Sequence, residues 1–377
     1  MTHVVIVGSG FAGCTAVRQL RKGGYGGAVT VVSPRPELFF YPSLIWVPAG
    51  RRAEQDLRVD LRGFLAAHGV DHLPGSATGL DTAGRILHTD VGDVAYDYLI
   101  IASGGRYLRK LPGIERAHIA CAGWQEVKAF SDALWSMDGG TVAFGFAGNP
   151  NEPSAMRGGP IFEFMFGVDT LLRQQQRRDR FELVFFSPAP KPGKRMGEKA
   201  VESILQEVDS RGIERHFGHK LKAFEADRIV TGGGEFRADL ILFIPGLTGP
   251  EWLTESALAL SDGGFVQADA HCRAVGAEGV YVAGDAGSFP GPEWKPKQAH
   301  MADLQAECAV MNLQARLAGR PETQTFKTEL LCIVDSLNTG SLVFRGERRN
   351  ISVKMPPMHW AKVFFEKHYL RPYRKAR

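Results

Sequence analysis

The chain has 377 residues, 44% of them hydrophobic and 23% charged, with 44 glycines and a formal net charge of +4. That length predicts two or three domains, and so mild a charge excludes a nucleic-acid binder built on a basic surface. No run of about 18 apolar residues is present to span a bilayer, no signal peptide is expected before the first strand, and five scattered cysteines without a CxxC exclude a disulfide scaffold and a four-cysteine metal site and fit a reduced compartment.

His3-Val4-Val5-Ile6-Val7 predicts a buried strand, and Gly8-Ser9-Gly10-Phe11-Ala12-Gly13 follows it as a turn opening a small-residue helix. Gly8 allows the tight turn, Gly10 lets backbone approach a pyrophosphate, and Gly13 lets the helix pack close to the strand. The phosphates are then expected on the helix N-terminus, where free N–H groups face them. A second strand, Ala28 to Val32, ends at Ser33, where an NAD site would place an acid. Pro34 to Ser43, with Arg35, Phe39, Phe40, Tyr41 and Pro42, is proline-rich and aromatic, and two readings stand: a loop over a flat cofactor, or a surface aromatic cluster. Asp56 to His68 predicts a short helix, Val70 to Leu73 and Arg85 to His88 small strands. Tyr96 to Ile101 predicts a strand ending in Ala102-Ser103-Gly104-Gly105, where backbone again approaches a ligand.

In the middle, Thr141 to Gly145 predicts a strand followed by Phe146-Ala147-Gly148-Asn149-Pro150, without GxGxxG spacing. The next strand, Phe181 to Phe186, ends at Ser187 with no carboxylate for an adenine ribose. This block is expected to be Rossmann-like without binding NADH. Lys191, Lys194 and Arg195 are read either as a solvated loop or as partners of a 2′-phosphate. Gly279 to Ala286 repeats the strand-and-glycine pattern with Gly284-Asp285, and a helix is expected just after Lys297-Gln298, with Met301, Leu304, Cys308, Met311 and Leu313 on its apolar side.

These pieces together resemble the two-dinucleotide-fold flavoproteins, the FAD-dependent pyridine nucleotide–disulfide oxidoreductase superfamily. The resemblance implies an α/β fold with two Rossmann-like dinucleotide-binding domains plus a C-terminal α+β segment. It divides the chain into an FAD domain (1–115 and 246–320), a degenerate NAD-type domain (116–245) and a C-terminal segment (321–377) with a membrane-interface helix. It implies FAD contacts from Gly8, Gly10, Phe11, Ala12, Gly13, Ser33, Pro34, Arg35, Pro42, Ser43, Ala77, Ala102, Ser103, Gly104, Gly105, Gly284, Asp285, Lys297 and Gln298. No metal is implied.

Four further stretches resemble the sulfide:quinone oxidoreductase and flavocytochrome c sulfide dehydrogenase branch: Phe40 to Val47, Arg157 to Phe164, Glu329 to Ser336 and Met358 to Tyr369. That branch oxidises sulfide with two cysteines over one flavin face and passes electrons to a quinone. Cys332 matches one cysteine, the other is expected near Arg157 by register with Gly159-Pro160 and is not a cysteine, and Cys121 resembles an additional loop cysteine. Three readings of Cys332 stay open: a lone redox thiol, a partner of Cys121 in a rearranged site, or a buried small hydrophobe. Arg157 is read either as a guanidinium for an anionic substrate or reduced FAD, or as a surface arginine at a helix start. Cys14, Cys272 and Cys308 are assigned no chemistry.

Near the C-terminus, Trp360, Val363, Phe364, Leu370 and Tyr373 predict an apolar stripe flanked by Lys362, Lys367, Arg371, Arg374, Lys375 and Arg377. A basic, aromatic, amphipathic helix is expected to lie in a membrane interface, and Phe344 and Phe364 are candidate walls of a quinone slot. The expected activity is electron transfer from a sulfur-containing donor through FAD to quinone at the cytoplasmic face of the membrane. The alternatives are a type II NAD(P)H:quinone dehydrogenase, and a flavoprotein electron-transfer subunit docking on a cytochrome or on a second copy.

Overall fold

The computed structural model describes residues 2–374. His3–Val7, Ala28–Ser33, Tyr98–Ile101 and Val280–Val282 are runs of Val, Ile and Leu, largely buried, as strands covered on both faces by helices must be. With Asp71–Pro74 they form one parallel sheet in the order Val280–Val282, Tyr98–Ile101, His3–Val7, Ala28–Ser33, Asp71–Pro74. The first strand is therefore central, and the chain leaves it toward opposite sides. Gly8 stands at that switch point, the place where open α/β sheets bind ligands. Helix Phe11–Lys22 covers the sheet and packs against the long helix Ala299–Leu317.

A second parallel sheet has the order His118–Ile119, Leu240–Ile244, Gly140–Phe146, Phe181–Ser187, Glu214–Phe217. Helix Gly159–Gln174 packs on it through a buried aromatic cluster that includes Phe146, Phe162 and Phe185. Beyond it come three antiparallel strands, Leu330–Asp335, Gly340–Arg345 and Asn350–Met355, and a final helix, Pro357–Arg374.

Four local expectations need correction. The helix expected over Asp56 to His68 is two helices, Glu54–Leu57 and Arg62–Ala67, interrupted by strand Arg58–Asp60. That strand pairs with Glu37–Phe39, and Arg58 is held by both Glu54 and Glu37, so tertiary pairing overrides the local pattern. The aromatic stretch is not an open loop: it is strand Glu37–Phe39 followed by the 3₁₀ turn Tyr41–Trp46, with Phe40 and Trp46 buried in protein. Met311 faces outward, 44% exposed, because the long helix packs through Ala306, Ala309, Val310 and Leu313 instead.

The C-terminal stripe divides. Leu370 and Tyr373 are buried against the first core, whereas Trp360 and Phe364 are 71% and 70% exposed. Lys362 does not flank the stripe in solvent; its ammonium is buried in an ion pair with Glu163. Lys375 and Arg377 lie outside the described residues.

Candidate active site

The glycine turn is shaped by steric necessity. Gly8 has φ +109°, and a side chain there would meet the Ala102 carbonyl oxygen at 2.4 Å. A Cβ on Gly13 would lie 1.9 Å from the Gly8 carbonyl oxygen, so only glycine lets this helix approach its strand. Above Gly10 nothing lies within 4 Å. Gly10 caps helix Phe11–Lys22 with no side-chain hydrogen bond. The first N–H groups of that helix therefore have no side-chain acceptor from the cap, as a phosphate seat requires. Ser43 adds a second mark of a missing partner: its hydroxyl is buried and bonded to nothing among the described residues. The donor set and a cradle that side chains at Gly8 or Gly13 would obstruct fit a dinucleotide.

The other expected cofactor residues surround this turn unevenly. Ala102-Ser103-Gly104-Gly105 follows the neighbouring strand, with Gly104 at φ +76° and Ser103 accepting a bond from Trp252 Nε1 at 3.2 Å. Ser33 donates to the Arg35 carbonyl at 2.9 Å, while Pro34 and Arg35 are exposed beside it. Ala77 begins strand Ala77–Asp81 at the edge of the first core, and Pro42 lies in the Tyr41–Trp46 turn. Gly284, Asp285, Lys297 and Gln298 line one pocket. Gln298 caps helix Ala299–Leu317, again without a side-chain bond and without an acid in the first turn.

Arg157 is tied to two residues of this pocket's lining, Asp285 and Lys297, and is not a surface residue. Its guanidinium forms an ion pair with Asp285, donates to the Tyr107 hydroxyl at 3.3 Å and reaches the Lys297 carbonyl at 3.4 Å. Burial alone would lower its pKa, but Asp285 and Tyr107 outweigh that and hold the guanidinium charged. Lys297 donates to the carbonyls of Asp285 and Gly287 at 3.1 and 2.8 Å, and burial pulls its ammonium down to about 8.

Two thiols, Cys121 and Cys332, pack in the second core near the start of helix Gly159–Gln174. All five cysteines are free. Cys332, on strand Leu330–Asp335, faces the start of helix Gly159–Gln174, where a Cβ on Gly159 would sit 3.6 Å from its sulfur. Gly159, whose register with Pro160 marks the place expected for the second cysteine, therefore lies close to Cys332. One helical turn on, on the same face, Glu163 is buried, paired with Lys362, and accepts the Asp335 backbone N–H at 3.0 Å. Burial raises Glu163 to about 7 against the pull of Lys362. Burial and Glu163 push the Cys332 thiol up to about 12. Cys121 is the thiol that feels the guanidinium: burial raises it to about 11, and Arg157 opposes that rise. Both thiols thus lie within the field of Glu163 and Lys362. Behind them, Asp335 accepts from Trp46 Nε1 at 2.7 Å and lies 2.8 Å from His359 Nδ1.

The second glycine turn is filled by protein. Residues 147–158 run out from strand Gly140–Phe146 before the helix begins at Gly159. Asn149 anchors this excursion to the carbonyls of Leu247 and Gly263 at 2.9 and 3.3 Å, and Glu152 accepts from Ser288 at 2.6 Å. The Phe186 ring stands over Gly145 and the Phe146 ring over Gly158. Arg195 is not free for a 2′-phosphate, because it donates to the Ser154 carbonyl at 2.7 Å and to that of Pro153.

The two rings assigned to the quinone slot stand apart. Phe344 lies on the sheet and Phe364 points outward, stacked only on His368, and the two rings make no aromatic contact among the described residues. Sequence reasoning missed Tyr107 and the Glu163–Lys362 pair. Glu163 left one trace, as the single acid in Ile161-Phe162-Glu163-Phe164-Met165-Phe166.

The family described as pyridine nucleotide-disulphide oxidoreductase matches residues 2–145 and 168–306. An oxidoreductase of Pestalotiopsis fici, ptaL, is 25% identical over 86% of this chain and 86% of its own. An NADH dehydrogenase-like protein of Mycobacterium tuberculosis is 26% identical over 76% of this chain and 72% of its own. The solved sulfide:quinone oxidoreductase of Aquifex aeolicus superposes with a TM-score of 0.90 at 21% identity, covering 100% of this chain and 92% of that one. At that identity the likeness concerns the fold.

Proposed function

The chain belongs to the pyridine nucleotide-disulphide oxidoreductase family, and on that footing we propose that it is an FAD-dependent oxidoreductase of the sulfide:quinone oxidoreductase type, working with an incomplete cysteine pair. The observation that carries this reading is the convergence of Cys332, Cys121, Glu163 and Lys362 at the start of helix Gly159–Gln174, beside the Arg157–Asp285 pair.

FAD, when bound, supplies two-electron redox chemistry between donor and quinone. Overall, a sulfur donor loses two electrons and two protons, and the quinone gains both. The chain's own residues divide the remaining work. Gly8, Gly10 and Gly13 seat the pyrophosphate. Arg157 fixes Asp285, one of the residues assigned to FAD. Cys332 would hold the donor sulfur, a sulfur–sulfur bond between them forming only as two electrons pass to bound FAD, and this requires the Cys332 thiol to give up its proton. Glu163, on the helix face that Cys332 fronts, is placed to take that proton. A base with a pKa near 7 suits proton transfer at neutral pH.

The sign of the pH dependence follows. Glu163 is neutral below about 7 and becomes a base above it, so sulfide-dependent reduction of decylubiquinone should rise through that pH. Glu163→Gln should remove the inflection and lower the rate above pH 7 about a hundredfold. A mutant that keeps the inflection contradicts this role.

The second reading, an NAD(P)H:quinone dehydrogenase, draws on the name of the M. tuberculosis relative. The filled turn at residues 147–158 weighs against it. No described helix is long and apolar enough to cross a membrane. Quinone access instead points to the face of the last helix that carries Trp360, Phe364, Lys367 and Arg371, all exposed, as an interfacial anchor. Trp360→Ser with Phe364→Ser should weaken sedimentation with anionic vesicles by about tenfold or more, measured without turnover. Unchanged sedimentation would rule out this anchor.

A further inference from the structure

Between the two faces of helix Pro357–Arg374 lies Tyr369, whose surroundings belong to neither the thiol centre nor the exposed stripe. Its hydroxyl donates to both oxygens of Asp303, at 3.2 and 3.1 Å. The same carboxylate accepts Thr15 Oγ1 at 2.6 Å. Thr15 lies one turn into helix Phe11–Lys22, and Asp303 one turn into helix Ala299–Leu317. These two helices present the uncapped N-termini at Gly10 and Gln298. The Tyr369 ring sits 5.7 Å from Phe11 and 5.7 Å from Phe40, and those two are 5.9 Å apart, so the three rings touch one another. Phe11 is the residue directly after Gly10.

We propose that Tyr369 is a positioning residue for the cofactor turn, latching the last helix onto the first turns of both N-termini that face the dinucleotide. The hydroxyl ties Asp303 and Thr15 together, and the ring holds Phe11. Burial raises Asp303 to about 6, so at neutral pH it is the carboxylate that accepts both hydroxyls. Residues near the end of the chain thereby hold the turn near its beginning, and the expected consequence is tighter retention of FAD. The inference rests on the FAD reading above but not on the identity of the electron donor.

The test is the dissociation constant for FAD of the purified holoenzyme, followed by the fluorescence of released FAD, alongside the melting temperature. Tyr369→Phe keeps the ring and should raise the constant about threefold. Tyr369→Ala should raise it about tenfold or more, the loss expected when a bond to a charged group and a ring contact go together. Asp303→Asn should match Tyr369→Phe, and the double variant should add little to either. Tyr373→Phe is the neighbouring control, since the Tyr373 hydroxyl has no partner among the described residues and the substitution keeps its ring, which packs on Phe64 at 5.1 Å and on Tyr369 at 5.8 Å. It should bind FAD as the unmodified protein does. Tyr369 variants that melt earlier yet keep the original constant would reduce Tyr369 to a structural residue and overturn the latch. Failure of the unmodified protein to bind FAD would overturn the cofactor reading itself.

Discussion

Replacing Cys332 with alanine is expected to slow sulfide-dependent flavin reduction by about a thousandfold or more, because loss of a nucleophile costs nearly the whole rate gained through it. FAD content should not change. The sulfur lies across from Gly159 and touches none of the glycines of the phosphate turn, so its removal leaves the cradle intact. The same variant separates the three readings of this thiol. A partner of Cys121 would make Cys121→Ala equally damaging, and a buried small hydrophobe would make Cys332→Ala a mild change in stability with the rate preserved. Cys121 has the guanidinium beside it while Cys332 fronts the base. On that geometry Cys121→Ala should cost less than Cys332→Ala but more than a packing substitution.

The second large effect is on cofactor loading. Gly13→Val should yield protein without bound FAD, seen as loss of the flavin absorbance in the purified sample. Its first side-chain carbon would lie 1.9 Å from a backbone oxygen that no rotamer change can move. The helix must then lift off its strand, carrying its N–H groups away from the phosphates. Gly10→Ala is the instructive contrast: nothing lies within 4 Å in the protein itself, so the fold should tolerate it and only the approach of the pyrophosphate should suffer.

How much of this was legible in the sequence depends on distance along the chain. The phosphate turn was readable because Gly8 to Gly13 is contiguous and each glycine has a local reason. The parallel strands were readable because their burial on two faces leaves continuous apolar runs. The thiol centre was half readable: Cys332 and the helix start at Gly159-Pro160 stood out, and the two do meet, but nothing local announced the buried acid one turn further on. The Glu163–Lys362 pair joins residues 199 positions apart, so its two halves look like one odd acid in an aromatic run and one lysine in a basic tail. Trp46 and Phe40 misled for the same reason. Aromatic and proline-rich composition marks a rigid segment without saying whether a ligand or Asp335 lies on its far side.

The central claim is that electrons enter from sulfur and not from a nicotinamide. Anaerobic mixing of the FAD-loaded protein with sulfide, and separately with NADH and NADPH, tests it most directly, with flavin absorbance recorded before and after decylubiquinone is added. The account predicts bleaching by sulfide, its recovery with the quinone, and no bleaching by either nicotinamide. Rapid bleaching by NADH or NADPH with none by sulfide would contradict it.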